Sequence, residues 1–243
     1  MSGHSKWSQI KHKKGTADAK RGQVFSKLVK EITIAAREAG ANPDANPRLR
    51  AACERARAEG LPKDNMDRAI ARAAGKGEGA ELFEFLYEAT SPGGIALLIE
   101  GITDNKNRSV NEIKYLLGEH GARLAEPGSI IWNFEKIGVI ICASMPDASQ
   151  EVNEFAIIES GARDFTMDGN EGVWLIETSF NAREGAADAL KQSGFTIRET
   201  RYVFKSKSPI TPDAAIAPKI EALLDALIEH DDVQEIYTNI TRN

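Results

Sequence analysis

Apolar positions change their period once along this chain, from about 3.6 residues to 2, which separates a helical beginning from a strand-rich remainder. Val24, Leu28 and Ile32 stand four apart, joined by Phe25, Val29, Ala35, Ala36 and Ala39, and Gly40 follows where a helix commonly ends in a residue of positive φ. One amphipathic helix is expected over 16–40. Asn46-Pro47 supplies a cap and a first-turn proline for a second helix, with Leu49, Ala52, Cys53 and Ala56 as its stripe and Gly60 as its end. Pro62 opens a third, in which Met66, Ala69, Ile70 and Ala73 repeat the spacing before Gly75. Each stripe must be buried against the other two, so a three-helix domain is expected over residues 1–79. Lys76-Gly77-Glu78-Gly79 reads as a linker and not a phosphate loop, because no helix opens from it.

Beyond the linker, β-rich runs at 82–90 and 95–103 flank Ser91-Pro92-Gly93-Gly94, which predicts a hairpin. Val110, Ile113, Leu116 and Leu117 then predict a helix ending at Gly121, and a strand is expected at 129–134. From 137 the pattern runs strand, helix to about 160, strands at 164–167 and 173–178, helix at 182–192 and strand at 196–204, the ferredoxin-like βαββαβ order. A helix over 218–230 and a β-rich run over 233–240 supply the pieces that the interrupted ββαβ unit lacks. The expected class is therefore α+β: a helical domain at 1–79, a middle α/β domain from 80–135 plus 208–243, and a ferredoxin-like unit at 136–207 inserted into the middle one. Trp132 and Trp174 fall in apolar strands and are expected in the core, while Glu81, Glu84 and Glu88 read as a solvated edge strand.

Charge adds what periodicity does not. Residues 1–78 hold 17 Lys plus Arg against 9 Asp plus Glu, a balance of +8, so with a formal total of −5 the remainder carries −13. A cationic head on an anionic body, with Trp7 among the early lysines, is the electrostatic footprint of nucleic-acid binding. Lys6, Lys11, Lys13, Lys14, Lys20 and Arg21 are the candidate phosphate contacts, and Trp7 and His12 the candidates for stacking or hydrogen bonding. Lysine suits sequence-tolerant phosphate contact, whereas the arginines that read guanine concentrate later, at Arg48, Arg50, Arg55, Arg57, Arg68 and Arg72, some expected to pair with Glu54, Glu59 or Asp67.

Catalytic patterns are missing: the sequence has no Gly-rich loop ending in Lys-Ser/Thr, no nucleophile elbow, and no histidine pair at helical ligand spacing. No catalytic residue, metal ligand or cofactor is assigned, and the chain is not expected to be an enzyme. His120 and His230 sit at helix ends, where a cation suits the helix dipole. The polar connection Thr103 to Arg108 is most simply a helix-capping loop. Cys53 and Cys142 stand in no metal-binding spacing and read as reduced thiols of a cytoplasmic protein. No apolar run approaches the roughly 18 residues of a membrane span, so no membrane partner is expected.

Gly3-His4-Ser5-Lys6-Trp7, Asp18-Ala19-Lys20-Arg21-Gly22, Asn46-Pro47-Arg48-Leu49-Arg50 and Pro62-Lys63-Asp64-Asn65 resemble the YebC/PmpR family. The resemblance continues through Ser91-Pro92-Gly93-Gly94, Thr103-Asp104-Asn105-Lys106-Asn107-Arg108 and Pro127-Gly128-Ser129, and so spans nearly the whole chain. It implies three domains, the first helical and the others α/β, in a bacterial cytosolic regulator of gene expression. DNA-binding transcriptional regulation is the leading expectation. The alternative is a ribosome-associated translation factor that binds ribosomal RNA, as organellar relatives are translational activators. The acidic domains are then left to a protein partner. A third reading, a ligand-binding protein or hydrolase using an interdomain cleft, rests only on the Thr103 to Arg108 loop.

Overall fold

Asn46 organises the first part of the fold by closing one helix and opening the next. The computed structural model describes residues 17–75, 81–169 and 172–241. Within it α1 spans Ala17–Ala39, α2 Pro47–Ala58 and α3 Lys63–Ala74. The fully buried Asn46 amide donates to the carbonyls of Ala35 (2.7 Å) and Gly40 (2.8 Å), while its oxygen accepts from the Leu49 N–H at 3.0 Å. Orphaned groups at both helix ends are thereby satisfied by one side chain. Leu28, Ile32, Ala35 and Ala36 then pack on Leu49, Ala52, Cys53 and Ala56 and on Leu61, Met66 and Ala69, the stripes expected from the spacing. Residues 76–80, where the linker was expected, lie outside the described part.

Strands β1 (Phe83–Ser91) and β2 (Ile95–Thr103) form the expected antiparallel hairpin, Ser91 facing Ile95 across the turn. Helix α4 (Lys106–Glu119) follows, and its Asn105 cap accepts from the Arg108 N–H at 3.0 Å, so the connection does serve as a helix cap. The two-residue strand β3 (Arg123–Leu124) pairs with β1, and β8 (Val233–Thr238), entered from helix α7 (Ala217–Ile228), pairs antiparallel with β2. The sheet order is β3-β1-β2-β8. Its core joins Leu97 and Ile99 of β2 to Ile113 and Leu117 of α4 and to Leu223, Leu224 and Leu227 of α7.

The second sheet contains β4 (Phe134–Ala143), β5 (Asp164–Asp168), β6 (Val173–Ser179) and β7 (Thr196–Ser206), with α5 (Gln150–Glu159) and α6 (Arg183–Gln192) between them. Its order, β5-β6-β4-β7, is the ferredoxin-like arrangement. Ile140, Cys142, Trp174 and Ile176 of the sheet pack on Ile157 of α5 and on Ala186, Ala187 and Leu190 of α6. Burial pushes the Cys142 thiol up to about 12, as suits an unreactive core position. The architecture is mixed α+β, helices first and two antiparallel sheets after. It divides into two compact units, Met1–Phe134 with Lys205–Asn243, and Glu135–Phe204.

Three sequence expectations are overturned. Residues 129–133 form a bend and a 3-10 segment (Ile131–Asn133), and the sheet partner of β1 is the short β3 instead. Trp132 is consequently 68 % exposed, whereas Trp174 is buried as expected. Glu88 is buried too, because its carboxylate accepts three backbone N–H groups, from Gly128, Ile130 and Ile131. Alternation along a strand cannot reveal an acid that is satisfied by a distant loop.

Gly101 is demanded by a close backbone approach. A Cβ there would lie 2.2 Å from the Asp232 carbonyl oxygen and 2.2 Å from the Phe85 ring, at the point where the β2–β8 register shifts. That carbonyl accepts the Ile102 N–H at 2.8 Å and so cannot withdraw freely. Gly101→Ala is expected to reduce unfolding free energy by about 3 kcal/mol, the upper end of ordinary overpacking, as measured by urea denaturation.

Candidate nucleic-acid interface

Helix α1 carries two sets of polar side chains with different fates. Gln23, Lys27 and Lys30 recur at i, i+4 and i+7, one face of the helix, and all three reach the end of α7 and the turn after it. Lys27 Nζ donates to the Ile228 carbonyl at 2.5 Å, and Gln23 Nε2 donates to the Glu229 carbonyl and, at 3.0 Å, to Asp231 Oδ1. Lys30 Nζ donates to the Asp231 carbonyl at 3.1 Å and to Asp232 Oδ1 at 2.6 Å. Cations and an amide thus meet the carbonyl end of α7, where the helix dipole favours them.

Asp232 gathers the remaining contacts. Its Oδ2 accepts from Ser109 Oγ (2.6 Å), Arg108 Nη2 (2.8 Å) and Thr103 Oγ1 (3.0 Å). Its backbone N–H donates to His230 Nδ1 at 3.1 Å, and His230 Nε2 lies 2.9 Å from Glu112 Oε2. Burial would push the pKa of this carboxyl up, but hydrogen bonds from Lys30, Ser109 and Arg108 outweigh it and hold the group well below the usual carboxylate range. Glu112, His230 and Asp232 each offer one atom within 4.8 Å of the others, a spacing a metal ion could use. Both Asp232 oxygens are already committed to four donors, two of them cations, so an ion there would have to displace them. The arrangement fits a closed hydrogen-bond network better than an open metal site.

A polar cleft of about 560 Å³ adjoins this network. Lys30 and Arg108 line it against five carboxylates, those of Asp104, Glu112, Glu229, Asp231 and Asp232, which is the wrong balance for a phosphate chain. Of the Thr103 to Arg108 loop, Thr103 and Arg108 bond Asp232, and Asp104 and Arg108 line the cleft.

Other head cations are also engaged. Arg48 bonds Glu38 of α1 and Glu84 of β1, Arg55 meets Glu31 of α1 at 3.0 Å, and Arg50 and Arg68 bond nearby carbonyls. For Arg48 and Arg55 these partners differ from the same-helix and neighbouring-helix acids that spacing alone suggested, since tertiary packing brings α1 and β1 closer. Arg21, Arg57, Lys63 and Arg72 are exposed and form no ion pair among the described residues. Of the sequence candidates, Arg21 is thus placed on the surface near the start of α1, and Lys20 precedes it in the same helix. Lys6, Trp7, Lys11, His12, Lys13 and Lys14 lie outside the described residues.

Lys27 gives the contact a measurable signature. Burial lowers its ammonium from the ordinary 10.5 to about 8, against the opposing pull of Asp231 and Glu235. Between those values the unfolded chain holds a proton that the folded chain releases, so this group makes stability rise with pH from about 8 to 10.5. Lys27→Met is expected to remove that component, seen as a flatter pH dependence of the urea midpoint than the unsubstituted protein gives.

Comparison with known proteins covers both parts of the chain. Residues 5–76 match the family model described as the TACO1/YebC protein N-terminal domain, and residues 82–240 match the TACO1/YebC second and third domain. A protein of Petrotoga mobilis named a probable transcriptional regulatory protein is 44 % identical over 241 residues, covering 98 % of this chain and 94 % of its own. One of Thermotoga maritima with the same name is 42 % identical over 241 residues, with coverage of 98 % and 93 %. The crystal structure of a conserved hypothetical protein from Aquifex aeolicus superposes with a TM-score of 0.84 at 38 % identity, covering 97 % of this chain and 96 % of that one.

Proposed function

Because this chain belongs to the TACO1/YebC family, whose relatives in Petrotoga and Thermotoga are named probable transcriptional regulatory proteins, we propose that it is a DNA-binding regulator of gene expression. It acts without catalysis, in the cytoplasm, through its N-terminal domain. The carrying observation is how the head's charges are divided. Lys27, Lys30, Arg48 and Arg55 are spent on holding the helices in place, while Arg21, Arg57, Lys63 and Arg72 face solvent without ion pairs among the described residues. Ahead of them the first 21 residues add Lys6, Lys11, Lys13, Lys14 and Lys20 against the single acid Asp18. Lys6, Lys11, Lys13, Lys14, Lys20 and Arg21 hold phosphates, and Trp7 and His12 stack or hydrogen-bond.

The work divides among a helical domain at 1–79, a middle domain from 80–135 and 208–243, and an inserted domain at 136–207. The last two carry the net negative charge and face a protein partner instead of the polyanion. Lysine-led phosphate contact does not by itself tell DNA from ribosomal RNA, and the relatives' names favour DNA.

If about five phosphates are neutralised, the logarithm of duplex affinity falls against the logarithm of salt concentration with a slope near ~ −4.5. Replacing Lys11, Lys13 and Lys14 by Ala should reduce that slope by about three charges' worth and weaken unrelated sequences alike, read by fluorescence anisotropy across a salt series. A salt-independent affinity, or an unchanged slope in the variant, would refute the proposal. Tighter binding to ribosomes than to duplex DNA would reassign it to translation.

A further inference from the structure

Helix α5 is apolar on two sides, and the fold buries only one of them. Ile157 lies in the core of the second sheet, and Asn153, one turn earlier, is buried with it. At 3.6 residues per turn Val152, Phe155 and Ile158 fall together on the opposite side, where they are 53, 62 and 59 % exposed. Met167 is exposed as well, on the same side of the edge strand β5 as Phe165, which packs against the core. Single exposed apolar side chains are ordinary. Three of them on one face of one helix make a continuous stripe, the pattern that marks a contact surface.

Charge around the stripe is one-sided. Residues 137–162 contain Asp147, Glu151, Glu154 and Glu159 and no Lys or Arg. Glu151 and Glu159 are exposed on the same side of α5 as the stripe and form no ion pair among the described residues. Glu159 occupies the last turn, where the helix carbonyls already concentrate negative charge and no basic side chain offsets it. We propose that the outer face of α5 docks a basic amphipathic helix of another protein, apolar side chains on Val152, Phe155 and Ile158 and Lys or Arg on Glu151 and Glu159. The inference rests on the reading that the inserted domain faces a protein partner, and it names that partner's chemistry. Like charge disfavours the alternatives. A second copy of the same face would bring carboxylates together, and nucleic acid or an anionic membrane would meet the same repulsion. Size agrees: the stripe from Val152 to Ile158 runs about 9 Å, which suits one helix laid across it, whereas interfaces between whole folded proteins take roughly 20–30 residues a side.

The test uses the full chain and a fluorescein-labelled peptide of Leu and Lys, about five helical turns long with its Leu on one face. Controls are a peptide of the same composition in scrambled order and a Leu/Glu counterpart of the ordered one. Anisotropy is expected to show binding of the ordered Leu/Lys peptide over both controls. Phe155→Gln should weaken it about tenfold or more, and Val152→Gln should weaken it too. Glu151→Lys combined with Glu159→Lys should shift the preference to the Leu/Glu peptide. Phe155 is largely exposed, so the urea midpoint of Phe155→Gln should not fall, which separates lost docking from lost folding. No binding of the ordered peptide, equal binding of the scrambled one, or unchanged affinity in both single substitutions overturns the proposal. A self-association of the protein that Phe155→Gln removes would make the face a contact between copies and overturn it as well. Duplex affinity and its salt slope should be the same in Phe155→Gln as in the unsubstituted chain. A chain that docks the peptide but binds duplex without salt dependence keeps this proposal and loses the nucleic-acid reading, and the reverse pair of results does the opposite.

Discussion

A single buried carboxylate, Asp232, ties together segments that are far apart in the chain. Lys30 of α1, Thr103 at the end of β2, and Arg108 and Ser109 of α4 all donate to it, from positions more than a hundred residues away. A carboxylate taken out of water is unfavourable unless its oxygens are fully satisfied, and here four donors, two of them charged, do so. The arrangement also explains Gly101, since the Asp232 carbonyl must come close enough to meet the Ile102 N–H. With that turn fixed, the end of α7 presents its carbonyls to Gln23 and Lys27.

Two kinds of cation in the head follow from this anchoring. Those on the inner face of α1, together with Arg48 and Arg55, act as structural donors, and their charge is cancelled locally. Arg21, Arg57, Lys63 and Arg72 form no ion pair among the described residues, and their side chains remain at the surface. A balance of +8 over residues 1–78 overstates what a polyanion would meet, because part of it is internal. Net charge measures attraction only after the ion pairs have been subtracted.

Much of the architecture was legible in the sequence, since long amphipathic stripes and glycine or proline punctuation fix helices, and the ferredoxin-like order follows from element sequence alone. The Asn46 cap and the hairpin at Ser91 to Gly94 were readable for the same local reason. What escaped is what depends on distant partners. Nothing around Glu88 in the sequence announces three backbone donors from residues 128–131, and nothing around Asp232 announces Lys30. Trp132 was misassigned because an apolar run resembles a strand whether or not it finds a ladder partner; the Pro127-Gly128 pair just before it was the available signal for a turn. Lys27 and Lys30 count toward the positive balance of residues 1–78 as Arg21 does, and only tertiary contact distinguishes them from it.

The anchoring account is tested most directly by a double-mutant cycle on Lys30 and Asp232, each replaced by Ala singly and together, with unfolding free energies from urea denaturation. Direct pairing in a largely buried setting predicts a coupling energy of about 1.5 kcal/mol or more between the two positions. A coupling below about 0.5 kcal/mol, the ordinary scatter of independent sites, would contradict it.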